Sequence, residues 1–353
     1  MISFRSYKKF IQAKSNNITG LELNFQNNKI GDLIISQCLA ALTNYKELQF
    51  LNIDLSNNQI TQEGVSYLCH FLEQKKNLQQ LTLNLCGNQV NKKSFQDLLS
   101  CLFCYTNLNS LKIQANTQTV ENEIKEESFE YKFQTNENLK ALSFEFDGSQ
   151  LFDNFYCQFG IGIQQYPNLI SLDLKFENNK SIGKELKVIG EGISSLKSLS
   201  KLLLNLNYNN IKDEELYDLI TGISKCGNIQ KLDLLANKND IDGQNFSIFE
   251  DLFKNCKEIT SLNLQFRYNI INEENISKLG QALQISQNLK SINLNLDGNY
   301  IQTIGYSIII TSLALCLGIK YLKFSALDNN TNLEFEKKQK YKLLRKLKNL
   351  VTL

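Results

Sequence analysis

Two hydrophobic periods alternate along the chain at a fixed interval. In Leu78-Gln-Gln-Leu81-Thr-Leu83-Asn-Leu85-Cys-Gly-Asn88-Gln-Val90, residues 81, 83 and 85 are apolar with polar residues between them, as in a strand buried on one face. The pattern recurs with anchors at Leu21, Leu51, Leu81, Leu111, Leu142, Leu172, Leu202, Leu232, Leu262, Ile292, Leu322 and Leu353, evenly spaced except for two gaps that are longer by a single position. The seventh residue after the anchor is Asn28, Asn58, Asn88, Asn179, Asn209, Asn239, Asn269, Asn299 or Asn329, a side chain suited to bonding the backbone of neighbouring turns. Then the period changes. Leu216, Leu219 and Ile223, Phe246, Phe249 and Phe253, and Ile276, Leu279 and Leu283 stand at i, i+3 and i+7, one stripe of a helix. Each unit therefore reads as strand, Asn turn, helix and return loop, and a fixed period of this length signals a stacked repeat.

Three segments depart from the pattern. The fourth unit, spanning 108–138, loses its Asn, has Lys125, Ser128 and Lys132 at the helix core positions, and alternates Phe129, Tyr131 and Phe133 as a strand would. Between Thr117 and Glu137 it carries six Glu against two Lys. Residues 1–17 place Phe4, Tyr7 and Ile11 at helical spacing and predict an N-terminal capping helix, favoured over a targeting peptide despite Arg5, Lys8, Lys9 and Lys14. Residues 334–353 hold seven cations against Glu334 and Glu336 and predict a basic C-terminal cap. The apolar run Ile304–Ile319 is shorter than the roughly 20 residues of a spanning helix. It falls in the helix phase of its repeat, with Tyr306, Ile309 and Leu313 at the core positions.

With these motifs the chain resembles the leucine-rich-repeat family, and within it the ribonuclease-inhibitor-like subclass with a full helix per repeat. The resemblance covers nearly the whole chain. An extra Leu-x pair, as in Asn84-Leu85 and Asn205-Leu206, departs from the subclass and lengthens the period. Abundant Asn, Gln, Lys and Ile resemble the usage of an AT-rich protist genome. The resemblance implies an α/β leucine-rich-repeat solenoid, a horseshoe of about eleven strand–helix repeats with a concave parallel sheet and convex helices. It is read as a single domain over 1–353, with repeats over 18–333.

Composition narrows the chemistry. Of 353 residues 38 are basic and 36 acidic, so no strong field favours nucleic acid. A single His leaves little for proton transfer, and His70 lies in the phase of an exposed helix face. Nine Cys are too sparse for a disulfide scaffold and point to a reducing, intracellular setting. Cys101 and Cys104 form a C-x-x-C without a second ligand pair, while Cys226, Cys256 and Cys316 share one phase late in the repeat, a packing position. Gly160-Ile-Gly162 and Gly190-Glu-Gly192 lack the third glycine of a dinucleotide loop. No catalytic residue, cofactor or metal is expected.

The expected function is a non-enzymatic interaction scaffold that binds a protein through the concave face, as a monomeric subunit of a larger assembly. Its expected compartment is the cytoplasm, with ciliary or nuclear placement open. The face reads mostly polar, through Asn52, Thr82, Asn84, Ser143, Asn205, Asn263, Gln265, Asn293 and Asn295. Against it stand Leu203 and Leu235, with Tyr208, Tyr268 and Arg267 on the rim, the composition of a binding anchor. A second candidate is acidic, formed by Glu145, Asp147, Asp173 and Glu177 together with Glu126 and Glu127 of the irregular unit, suited to a basic partner. The alternatives are a GTPase activator of the Ran-activator type, whose usual acidic tail is here replaced by a basic end, and an RNA-associated scaffold acting through the C-terminal helix. Small-molecule substrates and a transmembrane segment are not expected.

Overall fold

The computed structural model describes residues 1–13, 17–116, 130–148, 153–179, 182–331, 334–335 and 338–339. Glu126, Glu127 and the rest of 117–129 in the irregular fourth unit, and most of the basic C-terminal cap, lie outside the described residues. Two compact units divide the chain, Met1–Gln158 with Gln165–Lys175, and Phe159–Gln164 with Phe176–Leu353.

The first unit opens with β1 (Ile2–Phe4) and α1 (Tyr7–Gln12), followed by β2 (Gly20–Asn24), α2 (Asp32–Thr43), β3 (Phe50–Asp54), α3 (Gln62–Gln74), β4 (Gln80–Asn84), α4 (Lys92–Phe103), β5 (Ser110–Gln114), β6 (Ala141–Glu145), the start of α5 (Asp153–Gly162), whose residues from Phe159 on are counted with the second unit, and β7 (Ser171–Lys175). The second contains α6 (Leu186–Ser194), β8 (Lys201–Asn205), α7 (Asp213–Ile223), β9 (Lys231–Leu235), α8 (Ile248–Asn255), β10 (Ser261–Gln265), α9 (Glu273–Ile285), β11 (Ser291–Asn295), α10 (Gln302–Leu315) and β12 (Tyr321–Ser325). Within each unit the strands are parallel and stack in chain order. This is the leucine-rich-repeat solenoid architecture.

The register follows the period. Leu51 pairs with Leu81 and Leu81 with Leu111 in the first unit, and Leu202 with Leu232 in the second, so within each unit the described anchors lie over one another in a buried column. The residues two and four positions on are buried as well, as Leu83 and Leu85 show. Helix stripes close the core from the other side, with Leu219, Phe249, Leu279 and Leu283 fully buried.

Backbone groups left over in each turn are satisfied by two columns of side chains. The amide of Asn88 donates to the carbonyls of Leu55 and Leu85 at 2.9 and 3.0 Å, and its oxygen accepts from Ile60 N at 3.0 Å. Asn239, Asn269, Asn299 and Asn329 repeat the scheme, each donating to a carbonyl of the preceding repeat, Leu206, Ala236, Phe266 and Leu296 in turn. Asn28 differs. It is partly exposed and donates to its own turn at Gln26 O, because no Asn turn precedes it.

A second column lies at the late phase shared by the cysteines, where Cys226 donates to Ile193 O at 2.9 Å, Cys316 to Leu283 O at 3.4 Å, and the Tyr105 hydroxyl to Leu72 O. Those carbonyls end the preceding helix, where the regular i+4 donors run out and each also accepts from the backbone N–H three residues on, Leu196, Ser286 and Lys75 in turn. The thiols read as packing groups from sequence are therefore also donors to helix ends.

Several elements differ from the sequence expectation. The N-terminal cap is half a repeat rather than one helix, since Phe4 sits on β1, paired in parallel with β2, while α1 buries Phe10 against Phe25 and Tyr45. That added strand makes twelve among the described residues. Phe246 is buried ahead of α8, not within it, because Gly243 at φ +83° holds a turn where other units have begun their helix. In the fourth unit the described residues 130–136 form neither helix nor strand. Tyr131 and Phe133 fill the helix's place by packing on Phe103 at 5.7 and 4.1 Å between ring centroids.

The glycine pairs have a packing role. A Cβ on Gly222 would lie 2.2 Å from the backbone of Gly190, and one on Gly192 would lie 2.0 Å from Gly160 O. Helix backbones touch at these points, which only glycine permits.

Candidate protein-binding face

The sheet face turned away from the helices, expected to be concave, carries the residues one and three positions after each anchor. In the first unit it is polar and charged. Glu145 accepts from Lys175 Nζ at 3.0 Å and from Gln114 Nε2 at 2.9 Å. Register explains the pair, because β6 and β7 set Glu145 directly opposite Lys175. Burial pushes the Glu145 carboxyl up, but its hydrogen bonds outweigh that and hold its pKa below the usual value, while the same contacts hold Lys175 above its own. Burial raises the pKa of Asp173, which takes one long bond from the Ser143 hydroxyl at 3.4 Å. The carboxylates identified from sequence are thus partly neutralised by Lys175, a partner that the charge count alone did not single out.

In the second unit the face becomes apolar at two points. Leu203 on β8 lies opposite Asp233, and Leu235 on β9 lies opposite Asn205. The two leucines are therefore diagonal neighbours, about 7–8 Å apart in a regular sheet, within contact of one partner side chain. Both are half-buried. Asp233 between them is held by Lys231 at 2.9 Å. Glu177 accepts from Asn205 and Asn207 at 2.9 and 3.4 Å, so it orders this edge rather than offering a free charge.

The rim above carries a feature that the sequence reading resolved only in part. Six residues after ten of the anchors the backbone enters the left-handed region: Asn27, Asn57, Gly87, Gly148, Asn178, Tyr208, Lys238, Tyr268, Gly298 and Asp328 all have φ between 52° and 70°. Asn, Asp and Gly tolerate this conformation, whereas other side chains meet a cost of about 1–2 kcal/mol. Three successive repeats carry Tyr208, Lys238 and Tyr268 there. Lys238 Nζ stands over both rings, 4.7 Å from the Tyr208 centroid and 5.5 Å from that of Tyr268. Arg267 lies 5.3 Å from the Tyr268 centroid and pairs with Asp297 at 3.4 Å. The Tyr268 ring in turn covers Gly298, where a Cβ would fall 2.3 Å from the ring.

These rings stay exposed, Tyr208 by 43% and Tyr268 by 47%, and Ile270 and Tyr300 extend the band at 47% and 53%. Sequence reasoning found Tyr208, Tyr268 and Arg267 but missed Lys238, Ile270 and Tyr300. The signal was present as a column in which tyrosine and lysine replace Asn and Gly.

Elsewhere the chemistry is quiet. His70 is exposed on α3 beside Gln74 at 2.8 Å. All nine cysteines are free, and burial pushes Cys226 and Cys316 up to about 11 and Cys256 up to about 12. No described helix is long and apolar enough to cross a membrane. Among the described residues no group of three or more His, Cys, Asp and Glu could hold a metal.

The repeated strand, Asn turn and helix place the chain among leucine-rich-repeat folds. No family model matches the sequence, and no curated protein matches it. Among solved structures, an internalin (inlF) of Listeria monocytogenes matches 98% of this chain and 88% of its own at 16% identity, with a TM-score of 0.48.

Proposed function

We propose that the chain is a non-enzymatic protein-interaction scaffold of the ribonuclease-inhibitor-like type, whose partner lies against the open sheet face of the second unit. Helices of 11 to 14 residues in α7, α9 and α10 support the subclass. The observation that carries the function is the diagonal pair Leu203 and Leu235, set in a polar face and bordered by exposed tyrosines. Isolated apolar groups framed by polar ones and by aromatic anchors are the composition of binding hot spots. The acidic residues Glu145, Asp147 and Asp173 of the first unit, with Glu126 and Glu127, belong to the proposal as further contacts for basic segments, while Glu177 of the second serves its own edge through Asn205 and Asn207.

The test is the double variant Leu203→Asn with Leu235→Asn, which installs the background residue of that face. Cross-linking mass spectrometry of the purified complex reads the contact, and a melting curve reads the fold. The expected result is a loss of about thirtyfold or more in affinity, the scale of one hot-spot residue, with the melting temperature unchanged. Full retention of binding would move the contact to another face.

A further inference from the structure

We infer that Tyr208, Lys238 and Tyr268 form a cationic clamp for an acidic residue of the partner, presented beside an aliphatic one. The inference rests on the scaffold reading and names the chemistry of its partner. Three observations converge on it. First, three consecutive repeats abandon Asn and Gly at a left-handed position at a steric cost, and both rings, though they touch Lys238, remain close to half exposed. Second, the Lys238 ammonium is held between two aromatic faces, and no carboxylate pairs with it among the described residues. Third, the other cation at Tyr268 is already engaged, because Asp297 pairs with Arg267 while accepting from the Ser325 hydroxyl and Leu327 N.

One positive charge is therefore fixed in position and left without an anion. An aromatic face holds an ammonium by electrostatic attraction to its π cloud and removes none of its charge. A carboxylate approaching from solvent meets the ammonium, with the two tyrosines walling the approach. Leu203 and Leu235 on the strands that lead into the same turns offer the adjoining aliphatic contact. The occupant that fits is a protein segment with Asp or Glu next to Leu, Ile or Val.

The chain contains no tryptophan, so Tyr208→Trp provides a single fluorescent reporter that keeps an aromatic wall. It is titrated with three acetylated hexapeptides that alternate leucine with glutamate, glutamine or lysine. Binding of the glutamate peptide at least tenfold tighter than the glutamine one, weakened by salt and lost on adding Lys238→Gln, is the expected result. In the otherwise unaltered chain, Tyr208→Asn and Tyr268→Asn should raise the melting temperature, because Asn is the residue of the relaxed repeats, and should weaken binding of the glutamate peptide tenfold. No glutamate-peptide binding, equal response to the glutamine peptide, indifference to Lys238→Gln, or a lowered melting temperature in the Asn variants would each overturn the clamp. So would tighter binding of an oligouridylate through the same residues. Partner binding that survives Lys238→Gln but fails in the Leu203 and Leu235 double variant would sink the clamp and leave the scaffold reading standing.

Discussion

At the scale of single residues the structure separates positions that serve the fold from positions that burden it. The left-handed turn residue is the clearest case. Asn57 and Asn178 occupy it at little cost, whereas Tyr208 and Tyr268 do so against steric preference. Exchanging either tyrosine for Asn should stabilise the isolated chain by about 1 kcal/mol, measurable in denaturant titrations. The cysteines make the opposite case. Cys226, Cys256 and Cys316 are buried donors to carbonyls, and burial raises their pKa to about 11 or 12, so the nucleophilic thiolate is scarce at neutral pH. Iodoacetamide at pH 8 should leave these three unlabelled in the native chain and label them once it is unfolded. Rapid labelling under native conditions would contradict the burial. Their shared phase was legible in the sequence. Their bonding across repeats was not, because Ile193, Cys226 and Leu283 lie at least a full repeat earlier in the chain and only the stacking of one repeat on the next brings them near.

At the scale of elements, the start of a helix is where repeats differ most. In the first unit Asp32 receives Thr61 N, the Thr61 hydroxyl and Gly64 N at 2.9, 2.6 and 3.0 Å, which ties α2 to the start of α3. The same place in the second unit is held by Asp213, which receives Asp242 N and Gly243 N at 2.6 and 2.9 Å, but Asp242 stands where Thr61 stood. A hydroxyl can donate to a carboxylate, while a carboxyl can do so only when protonated. Burial first, and then the Asp242 side chain, raise the Asp213 pKa to about 6 from 3.8. The folded chain therefore holds a proton that the unfolded chain releases between about pH 4 and pH 6. Stability from this pair is present below that window, falls as pH rises through it, and stays low above it. Asp242→Thr should restore the hydroxyl bond, raise stability at pH 7.5 by about 1–2 kcal/mol, and flatten the dependence between pH 4 and 6, as chemical denaturation at several pH values would show. The spacing that begins at Leu216 located the stripe of α7, but the one that begins at Phe246 started α8 too early, because Asp242 and Gly243 decide its first turn through backbone geometry.

At the scale of the whole molecule, the period carries most of the architecture, because in a repeat array each unit contacts only its neighbours and one motif specifies every interface. Eleven of the twelve described strands, the buried anchors and the Asn column were legible for that reason, whereas β1, which lies outside the period, was not. The open face was less so. Leu203 and Leu235 were visible as apolar residues at polar positions, but their diagonal placement and the pairing of Glu145 with Lys175 are matters of register between strands a full repeat apart. The same nearest-neighbour logic predicts how the Asn column distributes stability. An interior rung has an Asn turn before it, and Asn88, 1% exposed, bonds to that turn and to its own. Asn28 has no Asn turn before it and bonds to its own turn at 2.9 Å. Asn88→Ala should cost about 1–3 kcal/mol, since it strands buried backbone groups of two repeats, whereas Asn28→Ala should cost about 0.5 kcal/mol or less because water replaces its exposed bond. Equilibrium denaturation of the two variants side by side reads the difference. Equal losses would mean that the first turn is as closed as the interior ones, and that β1 and α1 seal the end of the array as completely as a full repeat would.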